Sequence, residues 1–209
     1  MTKTTTNTTI SKDGTMIAYH ITGSGPVVIL VDGAFCSKDF GPMPKIAPLL
    51  AEKFTVITYD RRARGESGDT KPYAVEREIE DLQALISIAG GTAFLFGISS
   101  GAILAARAAA RGLNIKRLVL FEPPYVGNKQ QRRPENAVEQ LSQMISESKK
   151  GDAVKFYLRK VMGLPAVITF ILQLTPNWPK MKANANSLPY DAAVCGDFNV
   201  PAAQLSSVT

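Results

Sequence analysis

A serine placed between glycines is the residue of this chain best suited to do chemistry. Ser99 stands at the centre of Gly97-Ile98-Ser99-Ser100-Gly101, a G-x-S-x-G pattern that follows the apolar segment 92–96 and opens the Ala-rich segment 100–111. A strand that bends sharply into a helix would lift the Ser99 hydroxyl above the carboxyl end of a sheet. Free N–H groups at the helix start would favour an anion developing there. The pattern and its context therefore predict a nucleophilic serine.

Strands and helices alternate through the region that must position this serine. Continuous apolar runs are typical of strands buried on both faces, and they occupy residues 27–31, 54–59, 92–96 and 117–121. A hairpin is predicted before them, with Lys12-Asp13-Gly14 as its turn. Amphipathic or Ala-rich segments predict helices over 45–52, 75–88 and 100–111. The alternation predicts an α/β fold with a mostly parallel, doubly wound sheet.

The pattern changes after Pro123-Pro124, where the sixth strand ends. Helix signals follow over 136–148, 152–162 and 166–174, and they predict a helical lid. We expect a core over residues 1–122, a lid over 123–200 and the start of a return to the core over 201–209, so that the fold is C-terminally incomplete. The most apolar window, 161–174, is interrupted by Pro165 and is shorter than the roughly 20 residues that span a bilayer, so a buried or pocket-lining helix is expected.

With these features the sequence resembles the α/β-hydrolase family over essentially its whole length. The matching segments are the N-terminal hairpin, Val31-Asp32-Gly33-Ala34, residues 59–68, the bend at Ser99, and Phe121-Glu122-Pro123-Pro124. The resemblance implies Ser99 as the nucleophile, with the backbone N–H groups of Ala34 and Ser100 as oxyanion donors. It further implies an esterase-like hydrolase of small ester, lactone, amide or related acyl substrates that needs no cofactor.

Two positions in the loops beside this serine depart from the family pattern. Asp32 stands where relatives commonly carry histidine. A carboxylate about 6 Å from a developing oxyanion costs roughly 3 kcal/mol at an effective dielectric near 20. Asp32 could instead point away and hydrogen-bond the loop, and one sequence leaves both orientations open. Ala63 replaces a usual glycine, which indicates a local difference in the loop after the fourth strand.

The catalytic histidine of the family has no counterpart in this chain. The resemblance places that histidine after the last strand and the acid after the seventh, and the sequence shows neither strand. The one histidine, His20, falls in the second strand, which the family's strand order places three strands, or about 14 Å, from Ser99. Because that strand should run antiparallel, we also expect His20 near the other end of the sheet, as a structural or surface residue. Glu122 could replace the acid, or it could simply bond the turn.

These departures set the functional expectations. Without a base, an acyl-enzyme at Ser99 would turn over only at a residual rate of about 10³–10⁴ over water. The alternatives are a catalytically inactive scaffold that binds an apolar ligand under the lid, or one subunit of a split hydrolase. A sixth strand without a neighbour would be an apolar edge that favours self-association or a complementing chain.

The composition and net charge indicate the class of protein, its compartment and the partners to be expected. Apolar residues make up 45% and charged residues 20% of 209, as in ordinary globular proteins. The two cysteines, at 36 and 195, form no metal-binding spacing, and with no apolar N-terminal segment they indicate a cytoplasmic protein without a membrane anchor. The net charge of +6 comes without a basic stripe, so nucleic acid is not expected as a partner.

Overall fold

The computed structural model of the chain describes residues 5–125 and 134–197. Six strands form one sheet in the order β1-β2-β4-β3-β5-β6. β3, β4, β5 and β6 pair in parallel, whereas β1 and β2 pair antiparallel at one side. The strand bounds are β1 Asn7–Ile10, β2 Met16–Thr22, β3 Val27–Val31, β4 Thr55–Tyr59, β5 Ala93–Ile98 and β6 Ile115–Phe121. The mostly parallel sheet predicted from the sequence is confirmed.

Alternate side chains of the central strands build two separate apolar layers. Val28 and Leu30 of β3 face α1 (Met43–Leu50), while Ile29 and Val31 face α2 (Val75–Ile88) and α3 (Ser100–Ala110). α2 has the bounds that its periodicity predicts, with buried apolar residues at three- and four-residue steps: Ile79, Leu82, Leu85 and Ile86. Helices on both faces explain why β3 and β4 are apolar throughout.

The described chain after residue 134 is helical up to residue 195. Its elements are α4 Ala137–Ser146, α5 Lys150–Phe156, a π-helical turn Tyr157–Val161, α6 Ala166–Gln173, α7 Asn177–Ala183, a 3-10 turn Ala185–Ser187 and α8 Leu188–Cys195. α8 lies against α3 and α4 and is buried over most of its length. The predicted lid is described over 123–125 and 134–197, and the predicted return to the core over 201–209 lies outside the described residues.

The expectation that the apolar window 161–174 forms a buried or pocket-lining helix is wrong for α6. Most of its apolar side chains are exposed, whereas Leu172 is half-buried and Thr169 is 2% exposed. α6 packs mainly against α7 and the π-helical turn rather than against the sheet. Because nearly every position of α6 is apolar, its sequence carries no periodicity that could indicate which face is covered. The exposed residues are Val167, Ile168, Phe170, Ile171 and, just past the helix, Leu174.

β6 forms one side of the sheet. It pairs with β5, and no described residue pairs with its other side. Val119 and Phe121 are 52% and 49% exposed there. Among the helices of the two described ranges, none combines the length and the hydropathy that a bilayer crossing requires.

Candidate active site

The strand-to-helix bend predicted at Ser99 is present between β5 and α3. Ser99 has φ 54° and ψ −125°, a backbone conformation that side chains other than glycine rarely adopt. Its N–H donates to the Phe121 carbonyl at 3.0 Å, and its carbonyl accepts from the N–H of Ala102 at 2.9 Å. The two flanking glycines are required: a Cβ on Gly97 would lie 2.6 Å from the Ala102 Cα, and one on Gly101 would overlap the Val31 carbonyl.

Ser99 lines a cavity of about 300 Å³ between the sheet and the lid. The loop after β3, from Asp32 to Cys36, forms one wall of this cavity. The π-helical turn covers it with Tyr157 and Val161, and Met162 follows. The surroundings of the Ser99 hydroxyl are therefore mostly apolar, which strengthens any electrostatic interaction made inside.

The two predicted oxyanion donors belong to residues next to Ser99 or in the loop that adjoins it. A Cβ on Gly33 would be 3.1 Å from the Ser99 Cβ and 3.6 Å from its Oγ, so the loop after β3 adjoins the serine. Ala34 lines the same cavity, and Ser100 begins α3. In the described part of the chain, the N–H groups of Ala34 and Ser100 have no hydrogen-bond acceptor. Both are free to donate to a substrate oxygen.

Asp32 is 4% exposed and lies at the base of the same loop. Burial raises the pKa of its carboxyl to about 7, although Arg64, the Cys36 thiol, the Gly33 N–H and Arg61 all act to lower it. Its Oδ1 has no hydrogen-bond partner among the described residues, and its Oδ2 lies beside Gly41. The carboxyl is thus packed against its own loop, but the loop leaves one of its oxygens unsatisfied.

His20 lies away from Ser99, as its position in β2 predicts. Two strands, β4 and β3, separate β2 from β5, and the ring contacts Thr6 through Nε2 at 3.2 Å and Asp39 through Nδ1 at 3.7 Å. The expectation that it lies near the other end of the sheet is wrong. His20 lies opposite Thr58 of β4, Thr58 lies opposite Leu30 of β3, and Leu30 lies opposite Phe96 of β5. His20 is therefore level with Phe96, three residues before Ser99. The reason is that the first half of β2 extends past the end of β4 to pair with β1.

Glu122, the predicted acid candidate, follows β6 directly. It is exposed, with φ 46°, and it makes no hydrogen bond or ion pair with a described residue. It therefore does not bond the turn in the described structure, and its role as an acid stays a prediction.

A buried cluster of charged side chains beside Ser99 was not predicted from the sequence. Asp191 of α8 is fully buried; its Oδ1 accepts from Ser100 Oγ and from Arg61 Nη1, both at 2.7 Å, and its Oδ2 accepts from Arg64 Nη2 at 2.6 Å. Arg61 also forms a bidentate pair with Glu78 of α2, at 2.6 and 2.8 Å. We call these five residues the Asp191 cluster. It joins the lid, the loop after β4 and the start of α3.

The electrostatics of this cluster favour its charged form. Burial alone would raise the pKa of Asp191, but Arg64 and Arg61 outweigh that effect and hold the pKa below its usual value. One signal in the sequence could have indicated the cluster. Three arginines within residues 61–64 follow a buried strand, and buried guanidinium groups need carboxylates. No comparable signal marks Asp191, which is 130 residues from Arg61.

The described ranges, 5–125 and 134–197, contain no group of three or more histidine, cysteine, aspartate or glutamate side chains that could hold an ion. Cys36 and Cys195 are not joined in a disulfide.

Comparisons with known proteins agree on one family. A family model described as the alpha/beta hydrolase family matches residues 25–204. A crystal structure of an alpha/beta hydrolase from Sphaerobacter thermophilus is 48% identical, with a TM-score of 0.91 over 97% of this chain and 79% of that one. A hydrolase from Pseudomonas aeruginosa is 20% identical, with a TM-score of 0.70 over 98% of this chain and 77% of that one, and it shows the fold alone.

A curated relative matches a shorter part of the chain. It is the uncharacterized hydrolase YraK of Bacillus subtilis, which is 36% identical over 105 residues, or 48% of this chain. The matched part spans 38% of the length of that relative.

Proposed function

Because the chain belongs to the α/β-hydrolase family, we propose that it is a hydrolase of small esters, lactones, amides or related acyl compounds that works through an acyl-enzyme at Ser99. One observation carries the proposal: Ser99 holds φ 54° at the bend between β5 and α3 while it lines the cavity under the lid. A strained backbone at a cavity wall is expected where a side chain must be presented for reaction.

The reaction follows from the groups around the cavity. The Ser99 Oγ attacks the substrate carbonyl carbon, and the electron pair of the C=O bond moves onto its oxygen. The N–H groups of Ala34 and Ser100 hold that oxyanion. When the tetrahedral adduct collapses, the bond to the leaving alcohol breaks, and the alcohol departs with the proton lost by Ser99. Water then cleaves the acyl-enzyme and returns a proton to Ser99.

Removal of the proton from the Ser99 hydroxyl is the difficult step for this chain. Its single histidine, His20 of β2, contacts Thr6 and Asp39, and β4 and β3 separate β2 from β5 and Ser99. We therefore propose slow turnover for the chain alone, about 10³–10⁴ over water, which the oxyanion donors and binding can supply without a triad.

The cavity supports a small substrate. A volume of about 300 Å³ lies at the lower end of ligand pockets, which span roughly 300–1,000 Å³. The covering side chains Val161 and Met162 suit an apolar acyl chain. No cofactor is part of the proposal, and two cysteines that form no disulfide support the cytoplasm as its compartment.

Hydrolysis of p-nitrophenyl butyrate tests the role of Ser99. We expect purified chain to release p-nitrophenol and the Ser99→Ala variant to lose that release, because the alanine methyl cannot attack. Mass spectrometry of the proteolytic digest should find one butyryl group on the peptide that contains Ser99. The exposed Ser142→Ala serves as the control and should react like the unaltered chain. Equal release by the Ser99→Ala variant would show that the hydrolysis does not depend on Ser99, and ligand binding without Ser99-dependent turnover would favour a scaffold.

The free side of β6 favours a second candidate, a hydrolase whose sheet is continued by another chain. On this side of β6, no described residue pairs with the backbone donors and acceptors, and Val119 and Phe121 are exposed. A strand of another chain can extend such an edge. A second chain placed there would lie beside β6, one strand away from β5, from which Ser99 follows.

We expect the purified chain to self-associate through this edge, and Val119→Lys to weaken the association about tenfold or more. A lysine on an exposed edge strand opposes pairing because its charge would have to be buried. Sedimentation velocity over a range of concentrations measures the effect. Leu49→Lys, on the exposed face of α1, is the matched control. A monomer at every concentration, or equal effects of the two lysines, would contradict the role of β6.

A further inference from the structure

Arg64 reaches from the loop after β4 to the underside of the loop that lines the cavity. It is 2% exposed, and its guanidinium group makes four hydrogen bonds. Nη1 donates to the carbonyls of Gly33 at 2.6 Å and Cys36 at 3.1 Å. From the lid, Ser187 accepts from Nε at 2.7 Å and Asp191 from Nη2 at 2.6 Å. One buried side chain therefore connects the lid to the loop after β3.

The bond to Gly33 determines which way the next peptide faces. A trans peptide unit is planar, and its C=O and N–H groups point in opposite directions. Since Arg64 holds the Gly33 carbonyl, the N–H of Ala34 in the same peptide unit must point away from Arg64. Ala34 lines the cavity, and its N–H has no acceptor among the described residues. Glycine at position 33 would otherwise let this peptide rotate at little steric cost.

We propose that Arg64 is the positioning residue of the oxyanion site: it holds the Gly33–Ala34 peptide so that the Ala34 N–H faces the oxygen that forms beside Ser99. The inference rests on the proposed function, because an oxyanion forms only if Ser99 attacks an acyl carbon. The positive charge of Arg64 on the carbonyl also polarises the peptide and makes its N–H a stronger donor.

Asp191 completes the arrangement from the lid. The same carboxylate binds Arg64 through Oδ2 and the Ser100 hydroxyl through Oδ1, so it supports both proposed oxyanion donors, Ala34 and Ser100. Arg61 adds longer contacts, 3.4 Å to the Asp32 carbonyl and 3.4 Å to Ser100 Oγ. The relative position of the two N–H groups therefore depends on an anion that α8 of the lid supplies.

Arg64→Lys tests the proposal through kinetics. The single ammonium group of lysine cannot make the hydrogen bonds that the planar guanidinium group of Arg64 makes to Gly33, Ser187 and Asp191 at the same time. We expect kcat for p-nitrophenyl butyrate to fall about 10- to 100-fold, while KM changes less than about twofold. This fall in kcat is no larger than the roughly 100- to 1,000-fold fall that follows complete removal of an oxyanion donor. The matched control is Arg62→Lys. Arg62 is also fully buried, but its hydrogen bonds go to Asp81, Asp13 and the Arg77 carbonyl, none of which belongs to the loop after β3 or to the lid.

A second readout does not need turnover. Butyrate, the expected product, carries an oxygen anion that the two N–H groups can bind. We expect titration with butyrate to shift the amide NMR signals of Ala34 and Ser100 in the unaltered chain and in Arg62→Lys. In Arg64→Lys the Ser100 signal should still shift, whereas the Ala34 signal should lose most of its response. Ser187→Ala, which removes one bond to Arg64 and leaves the guanidinium group, should weaken the Ala34 response partly.

The outcomes separate this inference from the proposed function. If p-nitrophenyl butyrate is not cleaved but the Ala34 signal depends on Arg64, the proposed function fails and the positioning role stands. If butyrate never shifts the Ala34 signal, or if Arg64→Lys and Arg62→Lys behave alike in both assays, the positioning role is wrong. Should Arg64→Lys fail to fold, an unchanged Ala34 response in Ser187→Ala would overturn it as well.

Discussion

Replacing Asp191 with alanine should lower the free energy of unfolding by about 3–5 kcal/mol, because breaking a buried ion pair leaves an uncompensated charge. Asp191 is fully buried, and it is the one carboxylate that pairs with Arg64 among the described residues. Arg61 would keep Glu78, but Arg64 would remain buried with neutral partners. Urea unfolding followed by circular dichroism at pH 7.5 measures the change.

An exposed ion pair with the same N–O distance provides the control for Asp191. Asp152 accepts from Lys155 at 2.6 Å, the distance between Asp191 and Arg64, but both side chains lie in solvent. Water screens such a pair and its members lose side-chain entropy, so Asp152→Ala should change the stability little. Equal losses in the two variants would show that burial of the Asp191 cluster does not determine its contribution.

Replacing Asp32 with asparagine should stabilise the chain at pH 8 and have little effect near pH 4. The Asp32 carboxyl has an ordinary pKa of 3.8 and a pKa of about 7 in the folded chain, because burial disfavours its charge. Between these values the folded chain retains a proton that the unfolded chain has released, so stability falls as pH rises. At about 1.4 kcal/mol per pKa unit, the loss reaches roughly 4 kcal/mol above pH 7. Asparagine does not titrate, so the Asp32→Asn variant does not lose this stability as the pH rises.

The measurement is the difference in unfolding free energy between Asp32→Asn and the unaltered chain at pH 4.5, 6 and 8. The difference should grow with pH and level off above pH 7. Glu52→Gln, which removes a carboxylate at an exposed position, serves as the matched control. The same pH dependence for both variants, or a constant difference for Asp32→Asn, would contradict the raised pKa of Asp32.

The elements with strong local signals were predictable from the sequence. β3 and α2 have the predicted bounds, because an uninterrupted apolar run and a clear 3.6-residue period each admit one interpretation. The bend at Ser99 was predictable too, since the glycines at 97 and 101 are needed for backbone contacts that a Cβ would block. These features depend on residues that are close together in the chain.

The features that depend on distant residues were not predictable. Asp191 meets Arg61 and Arg64 only because α8 returns across α3, and its own helix gives no sign of that partner. The prediction that the apolar window containing α6 is buried or lines the pocket was wrong for α6, since its neighbours determine burial and its composition does not. The position of His20 along the sheet was missed because the overhang of β2 depends on its pairing with β1.

Two helices of the lid, α8 and α6, are held in different ways, and this separates the influences that each can have on the cavity. α8 is fastened through Asp191, while α6 meets α7 and the turn that carries Val161. A change in α6 should therefore reach the cavity through Val161 and Met162, whereas a change in α8 should reach it through Asp191 and Ser100. Under the proposed function, we expect variants of α6 to change which acyl chains fit and variants of α8 to change the reaction rate.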